Sequence, residues 1–113
     1  MHKIFSMPFA TVYPLYLKKV EKKERTKDEL DQVIRWLTGF TQKQLEKQIA
    51  TSATFTQFFD SAKLHPNAPL ITGMICGVRI EEIEDPLMQK IRYMDKLVDE
   101  LANGRPISKI LRG

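Results

Sequence analysis

Three Thr-x-x-Glu/Gln patterns stand within about thirty residues of one another, at Thr26–Glu29, Thr41–Gln44 and Thr54–Gln57, and each precedes apolar residues at helical spacing. Such a pair satisfies two of the free N–H groups at a helix start, so each pattern opens a new helix and ends what came before. A chain punctuated this closely cannot form long helices in that region. It must pack short ones around a shared core.

The helix opened by Thr26 is the clearest, because Leu30, Val33, Ile34 and Leu37 follow the i, i+3, i+4, i+7 pattern and Gly39 suits a left-handed exit. Thr41 opens a helix that turns Leu45 and Ile49 to the core. Thr54 leads into Phe55, Phe58, Phe59 and Ala62, whose helical spacing points to burial rather than to a base-stacking platform. Upstream, Thr11 is expected to cap a helix running to about Glu24, with Pro14 in its first turn and a stripe of Val12, Leu15, Tyr16 and Val20.

Leu64–Pro69 reads as a loop, since two prolines restrict the residues before them. From Leu70 to Ile83 the sequence fits two periods. Ile71, Met74, Ile75 and Val78 suit a helix, while β-branched residues with Gly73 and Gly77 would suit a strand or hairpin. Helix is favoured here because Asn67 and Pro69 supply start signals and no partner strand is evident elsewhere. Asp85 and Pro86 then read as N-cap and first residue of a long helix bearing Leu87, Ile91, Met94, Leu97, Val98 and Leu101. Asn103-Gly104 ends it, and Pro106 opens a last short helix with Ile107, Ile110 and Leu111. The expected fold is all-α: one compact domain over residues 1–113, of five or six short helices, with a short β element near residues 70–80.

At 113 residues the chain can bury one core and not two. No stretch approaches the roughly 20 apolar residues that span a bilayer, and MHKIFSMPF is too short in apolar residues for a signal peptide. A cytoplasmic protein without membrane contact is expected. A single cysteine, Cys76, excludes an internal disulfide and supplies only one of the thiolates that a structural zinc site normally needs.

The net charge of +4 is unevenly placed, with ten Lys/Arg against six Asp/Glu in residues 1–50 and eight of each beyond. The excess lies at Lys18, Lys19, Lys22, Lys23, Arg25 and Lys27, interrupted by Glu21 and Glu24, a pattern commoner on solvated faces than in binding sites. Helix, Gly-containing turn and helix from Thr26 to Ile49 also outline a helix-turn-helix, with Gln42, Lys43, Lys47 and Gln48 on the second member. Nucleic-acid contact through Lys18, Lys19, Lys22, Lys23, Lys43 and Lys47 is therefore one reading of the chain. Paired helices recur in any bundle, which is the plainer explanation.

Chemistry has two candidate seats. Cys76 would need a base beside it, and His2 and His65 are the only imidazoles; burial between Ile75 and Gly77 as an inert thiol is expected. Glu81, Glu82, Glu84 and Asp85 could offer oxygens to a hard cation, but carboxylates before a helix are already favoured by its free N–H groups and dipole. Gly73 and Gly77 have small-xxx-small spacing, which in a helix would permit close packing. Arg79 and Arg92 are expected to pair with Glu81, Glu84 or Asp95. No catalytic residue, metal site or cofactor is assigned.

The segments MPFATVYPLYLKK, WLTGF, LITGMICGVRIEEIEDPLMQKIRYMDKLVDELANG and KILR together resemble the bacterial family known as domain of unknown function 2200, over nearly the whole chain. That resemblance implies a compact bacterial cytoplasmic protein and carries over no activity, substrate or catalytic residue. The residues themselves point to a non-catalytic protein-interaction module, with a protein partner or self-association as a homodimer. Met74, Ile75 and the long helix are the expected contact surface. The alternatives are the nucleic-acid module above and a small enzyme using Cys76 or the Glu81–Asp85 carboxylates.

Overall fold

The computed structural model describes residues 2–113. Its helices are α1 (Phe9–Glu21), α2 (Lys27–Thr38), α3 (Gln42–Ala50), α4 (Phe55–Ser61), α5 (Pro86–Ala102) and α6 (Ile107–Ile110), with a two-stranded hairpin of β1 (Met74–Ile75) and β2 (Val78–Arg79) before α5. Short 3₁₀ turns cover Lys3–Ser6, Ala68–Leu70 and Ile80–Glu82. The all-α single domain with one short β element is what the sequence predicts.

All three capping boxes form. Thr26 Oγ1 accepts from the Glu29 N–H at 3.1 Å while Glu29 Oε1 accepts from the Thr26 N–H at 3.0 Å, and Thr41–Gln44 and Thr54–Gln57 repeat the exchange. α2 leaves through Gly39 at φ 73°, whose N–H bonds the Arg35 carbonyl at 2.9 Å. A Cβ at Gly39 would stand 2.9 Å from the Lys63 carbonyl oxygen, which belongs to the backbone and cannot swing aside. Gly39→Ala is therefore expected to destabilise the fold by about 1–3 kcal/mol, read from urea unfolding; a neutral result would show that this turn is free to shift.

α5 is the platform of the fold. Asp85 Oδ1 accepts from the N–H groups of Leu87 and Met88, both at 3.0 Å, and Pro86 occupies the first helical position. Its fully buried Ile91, Met94, Leu97, Val98 and Leu101 pack against α1, α2 and α4. Phe9, Phe40, Phe55 and Phe59 surround Phe58 in the same core.

Two segments depart from the sequence-based expectation. α1 begins at Phe9, after Pro8, and Pro14 lies inside it. The reason is tertiary: the Phe9 N–H bonds the Ala53 carbonyl at 2.8 Å, and Phe55 N–H bonds the Met7 carbonyl at 3.1 Å, so the loop before α4 satisfies this start in place of a local cap. The buried stripe becomes Phe9, Tyr13, Tyr16 and Val20, leaving Val12 half-buried and Leu15 exposed.

The segment Leu70–Ile83 is not helical. Met74 pairs with Arg79 and Ile75 with Val78, so the partner strand lies inside the same segment. Cys76 and Gly77, with φ of 51° and 79°, form the two-residue connection, whose pair of positive φ values is the type I′ pattern that matches strand twist. Gly73 also has a positive φ, of 102°. The two glycines shape a hairpin and present no small-residue helix face.

Candidate functional site

The hairpin stands on α5 through polar anchors. Lys96 Nζ donates to the Met74 carbonyl at 3.1 Å, Gln89 Nε2 donates to the Ile80 carbonyl at 3.1 Å, and the Ile80 N–H bonds back to Gly73 at 3.0 Å. Ile75 is half-buried against the core. Met74 and Val78 are 50% and 42% exposed, Met74 on the face it shares with Arg79 and Val78 on the face it shares with Ile75, and nearby in sequence Leu70 is 59% exposed. Met74, Gly77, Val78, Arg79, Glu82 and Ile83 line an open depression of about 490 Å³. Of the two expected interface residues, Met74 is available and Ile75 is largely taken by the core; Val78 replaces it.

Cys76 is exposed at the hairpin tip, contrary to the expected burial. A two-residue turn holds it out, whereas the helix anticipated there would have turned it inward. Neither imidazole serves it as a base: His65 stacks on Trp36 with centroids 4.2 Å apart and its Nδ1 accepts the Asn67 N–H at 2.9 Å, while His2 packs edge-on against Phe5.

The four acids do not gather. Glu81 accepts the Gly73 N–H at 3.0 Å and lies 3.7 Å from Arg79. Hydrogen bonds from its own backbone N–H and from Gly73 hold its carboxyl below the usual range, with Arg79 adding to them. Asp85 caps α5, and Glu82 and Glu84 are exposed. Among the described residues no three His, Cys, Asp or Glu side chains are grouped to hold a metal ion.

Behind the hairpin, Tyr16 donates to Asp95 Oδ1 at 2.5 Å and Arg92 pairs with Asp95 Oδ2 at 2.9 Å. Burial pushes the Tyr16 phenol well above its ordinary range, and the Asp95 charge pushes the same way. The expected pairings of Arg92 with Asp95 and of Arg79 with Glu81 are both present.

The basic residues divide into two places. Lys18, Lys19, Lys22 and Lys23 line one depression of about 320 Å³ on the outer face of α1, with Leu15, 63% exposed, among them. Lys19 also reaches Asp99 at 3.3 Å. Lys43 and Lys47 are exposed on α3 and do not line that depression. Gln42, expected among the base-reading side chains, turns inward and donates to Asp31 at 2.9 Å and to Glu46 at 3.1 Å.

Asp31 is a polar centre that the sequence reading missed. It is 2% exposed and accepts hydrogen bonds from the Tyr13 hydroxyl, from Lys27 at 2.7 Å and from Gln42 at 2.9 Å. Burial is the largest single influence and would raise its carboxyl, but the bonds from Lys27, Tyr13 and Gln42 together leave it below the usual range. Tyr13 is raised, chiefly by burial and then by Asp31. The i, i+4 spacing of Lys27 and Asp31 is the one local signal that could have revealed it.

The bacterial family described as "Uncharacterized protein conserved in bacteria (DUF2200)" matches residues 3–112. The chain belongs to this family. The crystal structure of uncharacterized protein SP1917 is similar over 98% of this chain and 93% of that one, with 44% identity and a TM-score of 0.91. No curated protein matches. The DUF2200 fold is thus the frame on which both depressions sit, and the family description attaches no chemistry to either. Among the described residues no helix is long and apolar enough to cross a membrane.

Proposed function

We propose that this protein is a small, non-catalytic, cytoplasmic interaction module that forms a homodimer through the hairpin face. The observation carrying the reading is the pair Met74 and Val78, exposed on a sheet of two strands. With no third strand, the outer edge of β2 faces no other strand, while on β1 the Met74 carbonyl is taken by Lys96, and an open edge together with exposed apolar side chains invites pairing with another chain.

Light scattering over a concentration series tests it. The wild type is expected to dimerise with rising concentration, and Met74→Lys combined with Val78→Lys to weaken dimerisation by about tenfold or more, equivalent to about 1.4 kcal/mol. A strict monomer at high concentration overturns the proposal.

A second reading has its own observation, the convergence of Lys18, Lys19, Lys22 and Lys23 on one depression. Nucleic-acid contact there predicts duplex binding that falls steeply between about 50 and 200 mM salt, because phosphate contacts release counterions. Flat anisotropy traces at both salts remove it.

A further inference from the structure

We infer that the surface receiving the hairpin face is the lysine-lined depression of α1 on a second copy of the same chain. This inference rests on the homodimer proposed above and names the two surfaces that meet. Charge complementarity and paired apolar content carry it.

The α1 surface offers an exposed Leu15 ringed by cations, with Lys18, Lys22 and Lys23 all exposed. The hairpin surface offers Met74 and Val78 beside Glu82 and Arg79, with Arg79 3.7 Å from Glu81, and with Glu84 exposed two residues beyond Glu82. Each therefore combines an apolar centre with an excess of one charge, since Glu81 offsets Arg79 on the hairpin side. A contact between copies would bury the apolar centres together and set Glu82 and Glu84 against lysines, whereas hairpin on hairpin would set the acidic excess of Glu82 and Glu84 against itself.

Placement permits the contact to close. Lys19 pairs with Asp99 and Lys96 donates to the Met74 carbonyl, so both surfaces flank the same stretch of α5. Across a two-fold axis the hairpin of each copy can meet the α1 face of the other, giving two equivalent contacts and a closed dimer rather than an open chain.

The test is a charge exchange followed by light scattering. One variant carries Lys18→Glu, Lys22→Glu and Lys23→Glu; the other carries Glu82→Lys and Glu84→Lys. All five positions are exposed, and circular dichroism melts verify folding. Each variant alone is expected to dimerise about tenfold or more weakly, while an equimolar mixture recovers affinity to within about threefold of wild type, because both contacts regain opposite charges. A wild-type dimer that neither variant weakens, or a mixture that fails to recover, overturns the inference and leaves the homodimer standing. A monomeric wild type overturns both. Lysine variants that keep wild-type dimerisation and lose only salt-sensitive DNA binding overturn it too, and assign the α1 face to nucleic acid.

Discussion

Phe58→Ala is expected to lower the unfolding free energy by about 3–5 kcal/mol, a large share of what a domain of this size possesses. Phe58 is fully buried and stacks on Phe9 with centroids 4.2 Å apart and planes 16° apart. Phe40 and Phe59 meet it edge-on at 5.2 and 5.0 Å. Truncation removes the transfer energy of the ring and leaves a cavity that these neighbours cannot collapse into, since each is fixed by its own helix or turn. Phe9 is also the start of α1, so the loss reaches the tie between that helix and the loop before α4. Urea unfolding gives the measurement, with Leu15→Ala, at an exposed position, as the control expected within about 0.5 kcal/mol of wild type. A loss below about 1 kcal/mol for Phe58→Ala would show that the aromatic cluster can repack and that the core is looser than its geometry states.

The helices that were legible in the sequence are those whose signals are local. α2 has its cap, its apolar period and its left-handed exit within fourteen consecutive residues, 26–39, and every one of those features forms. α5 is equally self-announcing, through Asp85, Pro86 and an apolar stripe along its length. The N-cap of α1 is Pro8, three residues before the Thr11 cap expected from sequence, because the partner of its first N–H is Ala53, remote in sequence and invisible to any local pattern. Its exposed Leu15 and buried Tyr13 exchange roles because the stripe begins at Phe9, and the i, i+4, i+7 face from Phe9 runs through Tyr13 and Tyr16 and passes Leu15 by.

The hairpin is hidden from the sequence for a different reason. Its turn residues are Cys76-Gly77, without the Asn-Gly or Asp-Gly pair that usually announces a type I′ connection, and its strands hold only two residues each. Two-residue strands have no alternation to detect. The lysine face is legible in Lys18, Lys19, Lys22 and Lys23, which recur at helical spacing and line one depression, but not in Leu15, which the sequence places in the buried stripe and the structure places among them. The environment of Asp31 was not, because Tyr13 lies eighteen residues away and nothing local distinguishes a buried carboxylate from a solvated one. Gln42 was assigned outward for the same reason: an amide at the start of a helix says nothing about which acid it will find.

Asp31→Ala is expected to cost about 2–4 kcal/mol at neutral pH, because it strands donors that burial prevents from reaching water. Lys27 can rehydrate, its side chain being 50% exposed, but Tyr13 is only 6% exposed and its hydroxyl loses its acceptor. Gln42 retains Glu46. The cost should therefore fall mainly on the Tyr13 contact, and a double-mutant cycle with Tyr13→Phe should show coupling of about 1 kcal/mol or more. The pH dependence provides a second readout. Asp31 is held below its ordinary value of 3.8, so its stabilisation is present above that pH and is lost as pH falls through the lower folded value. Unfolding at pH 7 and again at about pH 3 should thus find the gap between wild type and Asp31→Ala narrowed in acid. Tyr13, raised above its ordinary 10.0, has the opposite sign: its contribution is present below that pH and is lost as pH rises through the folded value. Asp31→Ala removes the influences of Asp31 on that phenol and leaves burial, the largest, with the charges of Glu46 and Asp28, so the alkaline loss should shrink without vanishing. A gap that stays constant from neutral to acid pH would mean that Asp31 acts through packing alone, and that the three donors around it contribute nothing to its charge.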